Sequence, residues 1–316
     1  MRDFLIILLI LLFSSIRSAT PLIFAALGGM FSERAGVINI ALEGLMLTGA
    51  FTAAVVTYEV QNPYLGFAAG MVAGAIVALV FAIAVIKFEA DQVVAGFAVS
   101  MLMLGLPAVI SSRLYDSAGS TQQINIAYLF PPLSKVFPFL PWSFLKDISL
   151  ASVLAFLCVP VCWYILYKTP FGLRIRATGE NPEAADAAGV NLIRLRYIAV
   201  VMSGVLAAAG GAYLSIGQSS LFTRGMTSGR GYIALAALIL AKWKPIPVLL
   251  ACLFFGFTEA LSIQMQGASW AKINGEDIPV QFIQIIPYVL TIIVLAGFIG
   301  LSRAPKALGI PYRKEN

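Results

Sequence analysis

The groups that could do chemistry in this chain are few and stand far apart. Glu43 follows Asn39 by four residues inside the apolar run GVINIALEGLML, and Glu259 lies between Thr258 and Ser262 in a second such run. A four-residue spacing puts Asn39 and Glu43 on one helix face, and a span starting near Val37 would bury Glu43 about a turn and a half deep. An ionisable group there is expensive in lipid. It faces a solute route, or it hydrogen-bonds neighbouring helices and holds a bundle together. The residues alone leave both readings open. Covalent, metal and nucleotide chemistry have no candidates. There is no His, and Cys158, Cys162 and Cys252 lie in apolar segments without metal-ligand spacing. No GxxxxGKS phosphate loop, nucleophile constellation or carboxylate-histidine relay occurs. The expectation is no catalytic residue, no metal site and no cofactor bound by this chain.

A second polar feature is the island KTPFGLRIRATGENPEAADAAGVNLIRLR, residues 168–196. It contains a short helix with its signals written out. Asn181 is a good N-cap, Pro182 suits the first helical position, Glu183 complements the positive helix end, and Gly189 can close the far end in a left-handed conformation. The signals predict roughly two turns, residues 182–188, between Arg174 and Arg176 on one side and Arg194 and Arg196 on the other. A solvated loop with one stray turn would carry the same residues.

The elements that must position these groups are set by composition. With 60% hydrophobic and 11% charged residues, the chain is no soluble domain and reads as an all-α polytopic membrane protein. The net charge of +6 is scattered between apolar blocks, which makes it a topology signal and argues against nucleic acid. The N-terminal run resembles a signal peptide, but its apolar pattern resumes after Arg17, so residues 4–30 form one span interrupted at Arg17 and Pro21. Further spans are expected at 37–58, 64–86, 91–112, 149–167, 197–217, a short one at 231–241, 245–264 and 282–301, about nine in all. Residues 113–147, rich in proline and aromatics, read as an extracytoplasmic surface loop. The basic residues of the island, of KWK at 242–244 and of the tail put those segments in the cytoplasm, with the N-terminus outside and the C-terminus inside.

Gly36 to Leu47 and Gly229 to Leu240 match at six positions, Gly36/Gly229 and Ile40/Ile233 among them, and would run oppositely through the membrane. Ala, Leu and Gly dominate such chains and can produce these matches by composition. Read as a repeat, they divide the chain into halves 1–112 and 197–302, around a loop at 113–147, a connecting span at 148–168 and a cytoplasmic loop at 169–196, with a tail at 303–316. Asn39 then corresponds to Tyr232. The run GMTSGRG before the short span at 231–241 marks a discontinuous segment, the best physical pointer to a substrate route.

The runs ATPLIFAALGGMFSERAGVINIALEGLMLTGAF, ADQVVAG, FGLRIRATGENPEAADAAGVN, SGVLAAAGGAY and GYIALAALILAKWKP together resemble the permease subunits of bacterial ATP-binding-cassette importers. Within the branched-chain amino acid and monosaccharide superfamily, the likeness is strongest to nucleoside permeases. The resemblance covers Ala19 to about Leu301, without the additional N-terminal span of many relatives. It implies a type II-like permease fold with an inverted repeat and a coupling helix seated on an ABC ATPase subunit. That helix would be formed by Pro182, Glu183, Ala184 and Ala185, with Gly179, Asn181 and Gly189 shaping its ends. It further implies a second, non-identical permease and an extracytoplasmic solute-binding protein, with ATP and Mg used by the ATPase, in the bacterial inner membrane. The implied mechanism is alternating access, and Asn39, Glu43 and Tyr232 are candidates to line the pathway. Riboflavin or sugar as cargo, an ATP-independent channel, and a structural subunit remain the alternatives.

Overall fold

The computed structural model describes residues 2–117, 119–136, 148–266, 272–273, 276–277, 282–283, 285, 289, 292–293 and 303–312. Its helices are α1 (Arg2–Arg34), α2 (Leu42–Val60), α3 (Pro63–Ala82), α4 (Gln92–Tyr115), the single turn α5 (Leu133–Val136), α6 (Leu150–Lys168), α7 (Pro170–Glu180), α8 (Pro182–Ala187), α9 (Leu192–Tyr213), α10 (Arg230–Leu240) and α11 (Pro245–Met265). Two-residue strands, Lys272–Ile273 and Glu276–Asp277, pair antiparallel.

Among the described residues six helices are long and apolar enough to cross a membrane, at Leu8–Arg34, Pro63–Lys87, Gln92–Tyr115, Leu150–Lys168, Leu192–Gln218 and Pro245–Met265. The difference from nine has identifiable sources. α2 has 19 residues but carries Glu43 and Glu59, α10 has only 11, and the span expected at 282–301 lies largely outside the described residues. The interruption expected at Arg17 and Pro21 is absent, since α1 runs through both as one helix. A proline removes a single helical N–H, and helix neighbours in a bundle tolerate that loss.

α2, α1 and α9 form the buried centre. α3 and α9 cross with small residues at the contact. A Cβ on Gly74 would lie 2.6 Å from the Gly204 carbonyl oxygen, and one on Gly204 would lie 2.6 Å from that of Gly74. Lipid tails are as apolar as leucine, so such close backbone approach supplies the packing attraction that apolar burial cannot. α3 and α9 each continue into a π-helical turn, Ile83–Lys87 and Leu214–Gln218.

The described part of the long loop lies against the chain that follows α9. Thr121 N–H donates to the Phe222 carbonyl at 3.0 Å, Ile124 N–H to Ser220 at 2.7 Å and Phe130 N–H to Ile216 at 2.8 Å, while Ile124 and Phe130 are buried. These three backbone donors are therefore satisfied by the chain that leads from α9 toward α10.

Candidate functional site

Two segments break the helical pattern inside the bundle. Residues 35–41 leave α1 and reach α2 without regular structure, and residues 219–229 join the end of α9 to α10. The first contradicts the expected span at 37–58. The chain leaves the helix at Gly36, whose φ of +91° suits a residue without Cβ, and helix resumes only at Leu42. Asn39 thus precedes α2 and Glu43 lies in its first turn, so the two do not share a helix face. Depth follows from α4, which begins at Gln92 and meets Gly44 at Ser100. Eight residues at 1.5 Å rise put this level about 12 Å inside that end of the bundle.

The Glu43 carboxylate closes the second break. Its Oε1 accepts from Thr227 Oγ1 at 2.5 Å and from the Gly229 N–H at 2.9 Å, and its Oε2 accepts from the Gly231 N–H at 2.7 Å. Glu43 is 8% exposed and Thr227 is fully buried. Glu43 therefore caps α10 from another helix, at a start where Gly229, φ +80°, offers no side chain of its own. Gly231 has no Cβ because that atom would meet the Glu43 backbone and lie 2.9 Å from its Oε2. Beside this cap, Arg230 donates to the carbonyls of Met226 at 3.0 Å and Thr227 at 3.3 Å and pairs with Glu259 of α11. Glu259 thus holds α11 to the break.

Asn39 is fully buried and donates from Nδ2 to Ser203 Oγ of α9 at 2.8 Å, while its Oδ1 has no hydrogen-bond partner among the described residues. Tyr232 differs from both. It is exposed on α10 with its ring 6.1 Å from that of Phe97 on α4. The structure brings Glu43 to the foot of α10 and holds Asn39, in the 35–41 segment, against Ser203 of α9. Thr227, Arg230 and Ser203 escape a reading by sequence because each acts through a partner far along the chain. The GMTSGRG run was the one local signal for Thr227 and Arg230.

At the end of the bundle where α1, α7 and α10 finish, the polar island folds into two helices. α7 was not anticipated, although Thr169 accepts from the Gly172 N–H at 3.2 Å and Pro170 occupies the first helical position, the same start signals that mark α8. In α8, Asn181 Oδ1 accepts from the Ala184 N–H at 3.0 Å, Pro182 begins the helix and Glu183 occupies its first turn. The helix ends one residue earlier than expected. Gly189 takes φ +78°, its N–H donates to Asp186 at 2.8 Å, and the Val190 N–H donates to Ala185 at 3.0 Å. Ala185 is the buried residue of α8, whereas Glu183, Ala184 and Gly189 are exposed. Gly179 is buried against the end of α1, where a Cβ would collide with the Arg34 carbonyl.

Arg34 ties this end together. It donates to the Trp243 carbonyl at 2.9 Å and 3.1 Å and lies 4.0 Å from the Glu180 carboxylate. Trp243 in turn donates its indole N–H to the buried Glu33. The ends of α1, α7 and α10 are therefore fixed to each other, and α8 stands out from them as a capped and largely exposed helix.

The family described as branched-chain amino acid transport system / permease component matches residues 11–295. The guanosine ABC transporter permease protein NupQ of Bacillus subtilis is 43% identical over 99% of this chain and 99% of its own length. The nucleoside ABC transporter permease protein NupC of Lactococcus lactis is 37% identical over 94% of each chain. A second Bacillus subtilis protein, guanosine ABC transporter permease protein NupP, is 24% identical over 90% of this chain and 80% of its own. With a match across nearly its whole length, and helices enough for a multi-pass membrane protein, this chain belongs to the branched-chain amino acid transport system / permease component family.

Proposed function

We propose that this chain is the transmembrane permease subunit of an ATP-driven, binding-protein-dependent importer of nucleosides, working by alternating access. The observation that carries the substrate class is the end-to-end similarity to permeases named for guanosine and for nucleosides. The partner set follows from the same reading. The chain has no phosphate-binding loop, so ATP and Mg belong to an ABC ATPase subunit. Bacillus subtilis has two different guanosine permease proteins similar to this chain at 43% and 24% identity, which favours a pair of non-identical permeases here. A solute-binding protein would deliver cargo from outside.

In this reading α8 is the helix that meets the ATPase, with Gly179, Asn181, Pro182, Glu183, Ala184, Ala185 and Gly189 setting its shape and exposure. The end that carries α8 also carries Arg34, Lys87, Lys168, Arg174, Arg194 and Lys244, which supports reading it as the cytoplasmic end, with the N-terminus outside. The left-handed Gly36 and Gly229 support an inverted repeat whose halves each contain one break. Solute passes the exposed Tyr232, whose ring suits a base, while Glu43 and Asn39 frame the route by holding the broken segments in place.

The test is uptake of radiolabelled guanosine in cells that lack their own nucleoside importers and express this chain with its ATPase, second permease and binding protein. Uptake should fall at least tenfold on energy depletion. It should fall equally when residues 182–188 become a Gly-Ser linker, with membrane insertion unchanged. Uptake that persists under either condition refutes the ATP-driven reading.

A further inference from the structure

The described part of the C-terminal tail, residues 303–312, contains no helix or strand, yet it is pinned at four places. The Ala307 N–H donates to the Gly179 carbonyl at the end of α7, at 2.9 Å, and the Gly309 N–H donates to the Gly36 carbonyl beyond α1, at 3.1 Å. Arg196 of α9, 4% exposed, donates from Nε to the Ala35 carbonyl at 3.2 Å and from Nη1 to the Ile310 carbonyl at 3.4 Å. Finally, the Tyr312 hydroxyl donates to Asp186 Oδ2 on α8 at 3.0 Å. Tyr312 also forms one wall of a groove of about 310 Å³ between α8 and the start of α9, with Asp186, Gly189, Val190 and Ile193 on its other sides. The tail backbone thus runs from α8 to the first residues of the irregular 35–41 segment. Gly309 lies close enough to that segment that a Cβ there would sit 2.9 Å from Ile38 Cδ1.

We propose that residues 303–312 are a strap, with Tyr312 and Asp186 as positioning residues, that carries a displacement of α8 to the 35–41 segment and through it to Glu43 and the foot of α10. The inference rests on the reading of α8 as the ATPase-contacting helix. The physical reason is the way α8 is joined to the bundle. Along the chain it is followed by a left-handed Gly189, a joint that bends easily and would absorb a push. A lateral attachment through Tyr312 bypasses that joint. Its other end is fixed at Gly36, three residues before Asn39 and seven before Glu43, so movement reaches the break over a short path. Rigid segments that share such contacts move together, and coupling of this kind is established by perturbing the contact itself.

The experiment has two arms. In the purified permease alone, hydrogen exchange is followed at amides of residues 182–190 and 36–41 in wild type, Tyr312→Phe, Asp186→Ala and Asp186→Asn. Tyr312→Phe and Asp186→Ala should speed exchange at least threefold in both windows, whereas Asp186→Asn keeps an acceptor oxygen and should stay within twofold of wild type. Unchanged exchange at 36–41 in Tyr312→Phe overturns the strap. In proteoliposomes containing the ATPase and second permease and supplied with the solute-binding protein, Tyr312→Phe should raise the ATP hydrolysed per guanosine imported at least fivefold, with co-purification intact. A wild-type ratio overturns the coupling role. If wild type fails to co-purify with the ATPase while the exchange windows respond together, the reading of α8 falls and the strap stands.

Discussion

Replacing Glu43 by glutamine is the sharpest perturbation of the break, because it changes charge and acceptor count at constant shape. The carboxylate accepts three hydrogen bonds, two on Oε1 and one on Oε2. An amide has one acceptor oxygen. If that oxygen keeps Thr227 and Gly229, the NH₂ faces the Gly231 N–H at a position where the donor–acceptor distance is 2.7 Å. If the amide is turned, its NH₂ faces the Gly229 N–H instead. Either way one buried backbone donor is stranded, which costs about 1–3 kcal/mol, and the bonds that remain lose their charge assistance, roughly half their strength. The total is about 2–4 kcal/mol, a large fraction of an ordinary stability of about 5–15 kcal/mol. The assay is SDS-titrated unfolding in mild detergent, paired with hydrogen exchange of residues 226–232. The expected result is a stability loss in that range with exchange accelerated at Gly229 and Gly231. An unfolding free energy within about 0.5 kcal/mol of wild type, the usual scatter for a neutral substitution, together with lost guanosine uptake, would refute the cap and make Glu43 a solute ligand.

Other consequences concern packing and the contacts at the end of the bundle where α1, α7 and α10 finish. Gly74→Val places a branched side chain where even a Cβ would be 2.6 Å from the Gly204 carbonyl oxygen, so the α3–α9 crossing should separate and folded monomer should vanish from gel filtration, while Ala78→Gly in the same helix should leave a monodisperse peak. Trp243→Phe removes the indole donor from the buried Glu33 and should lower stability by about 1–3 kcal/mol in the same unfolding assay, with little change if Glu33 finds water instead.

Hydropathy made the membrane class and most long helices legible, and local capping chemistry located α8 to within one residue. Both are signals carried by neighbours in the sequence. The errors have the opposite character. Residues 37–41 read as helix because Val37, Ile38, Ile40 and Ala41 are apolar, but α2 begins after Ala41 without any side-chain cap, so no start signal marks the boundary. The identity of Glu43 announced a buried carboxylate, and nothing near it named its partners, which lie 184 to 188 residues away. α7 went unread because Gly172 and two arginines interrupt its apolar pattern, even though its Thr169–Pro170 start resembles that of α8. The tail contacts were unreadable for the same reason as those of Glu43. Those of Ala307 and Gly309 are backbone hydrogen bonds, whose groups are identical at every position, and the side chains of Arg196 and Tyr312 reach partners 114 and 126 residues away.

In the proposed reading, with Tyr232 on the solute route, the geometry around Glu43 also bears on why an uncharged cargo would suit it. The carboxylate belongs to the first turn of α2 and caps the first turn of α10, so two helix N-termini converge on it. Each N-terminus behaves as about half a positive elementary charge, and together they approximate one. A single carboxylate balances that sum, whereas either helix end alone would leave it in excess. The break is therefore held by opposite charges that cancel locally, and little net field is left to attract an anion or repel a cation along the face that carries Tyr232. A site built on two unbalanced helix ends would instead be an anion site. On that reading, neutralisation from within the chain would leave recognition to ring faces and hydrogen bonds, which is the chemistry a nucleoside presents.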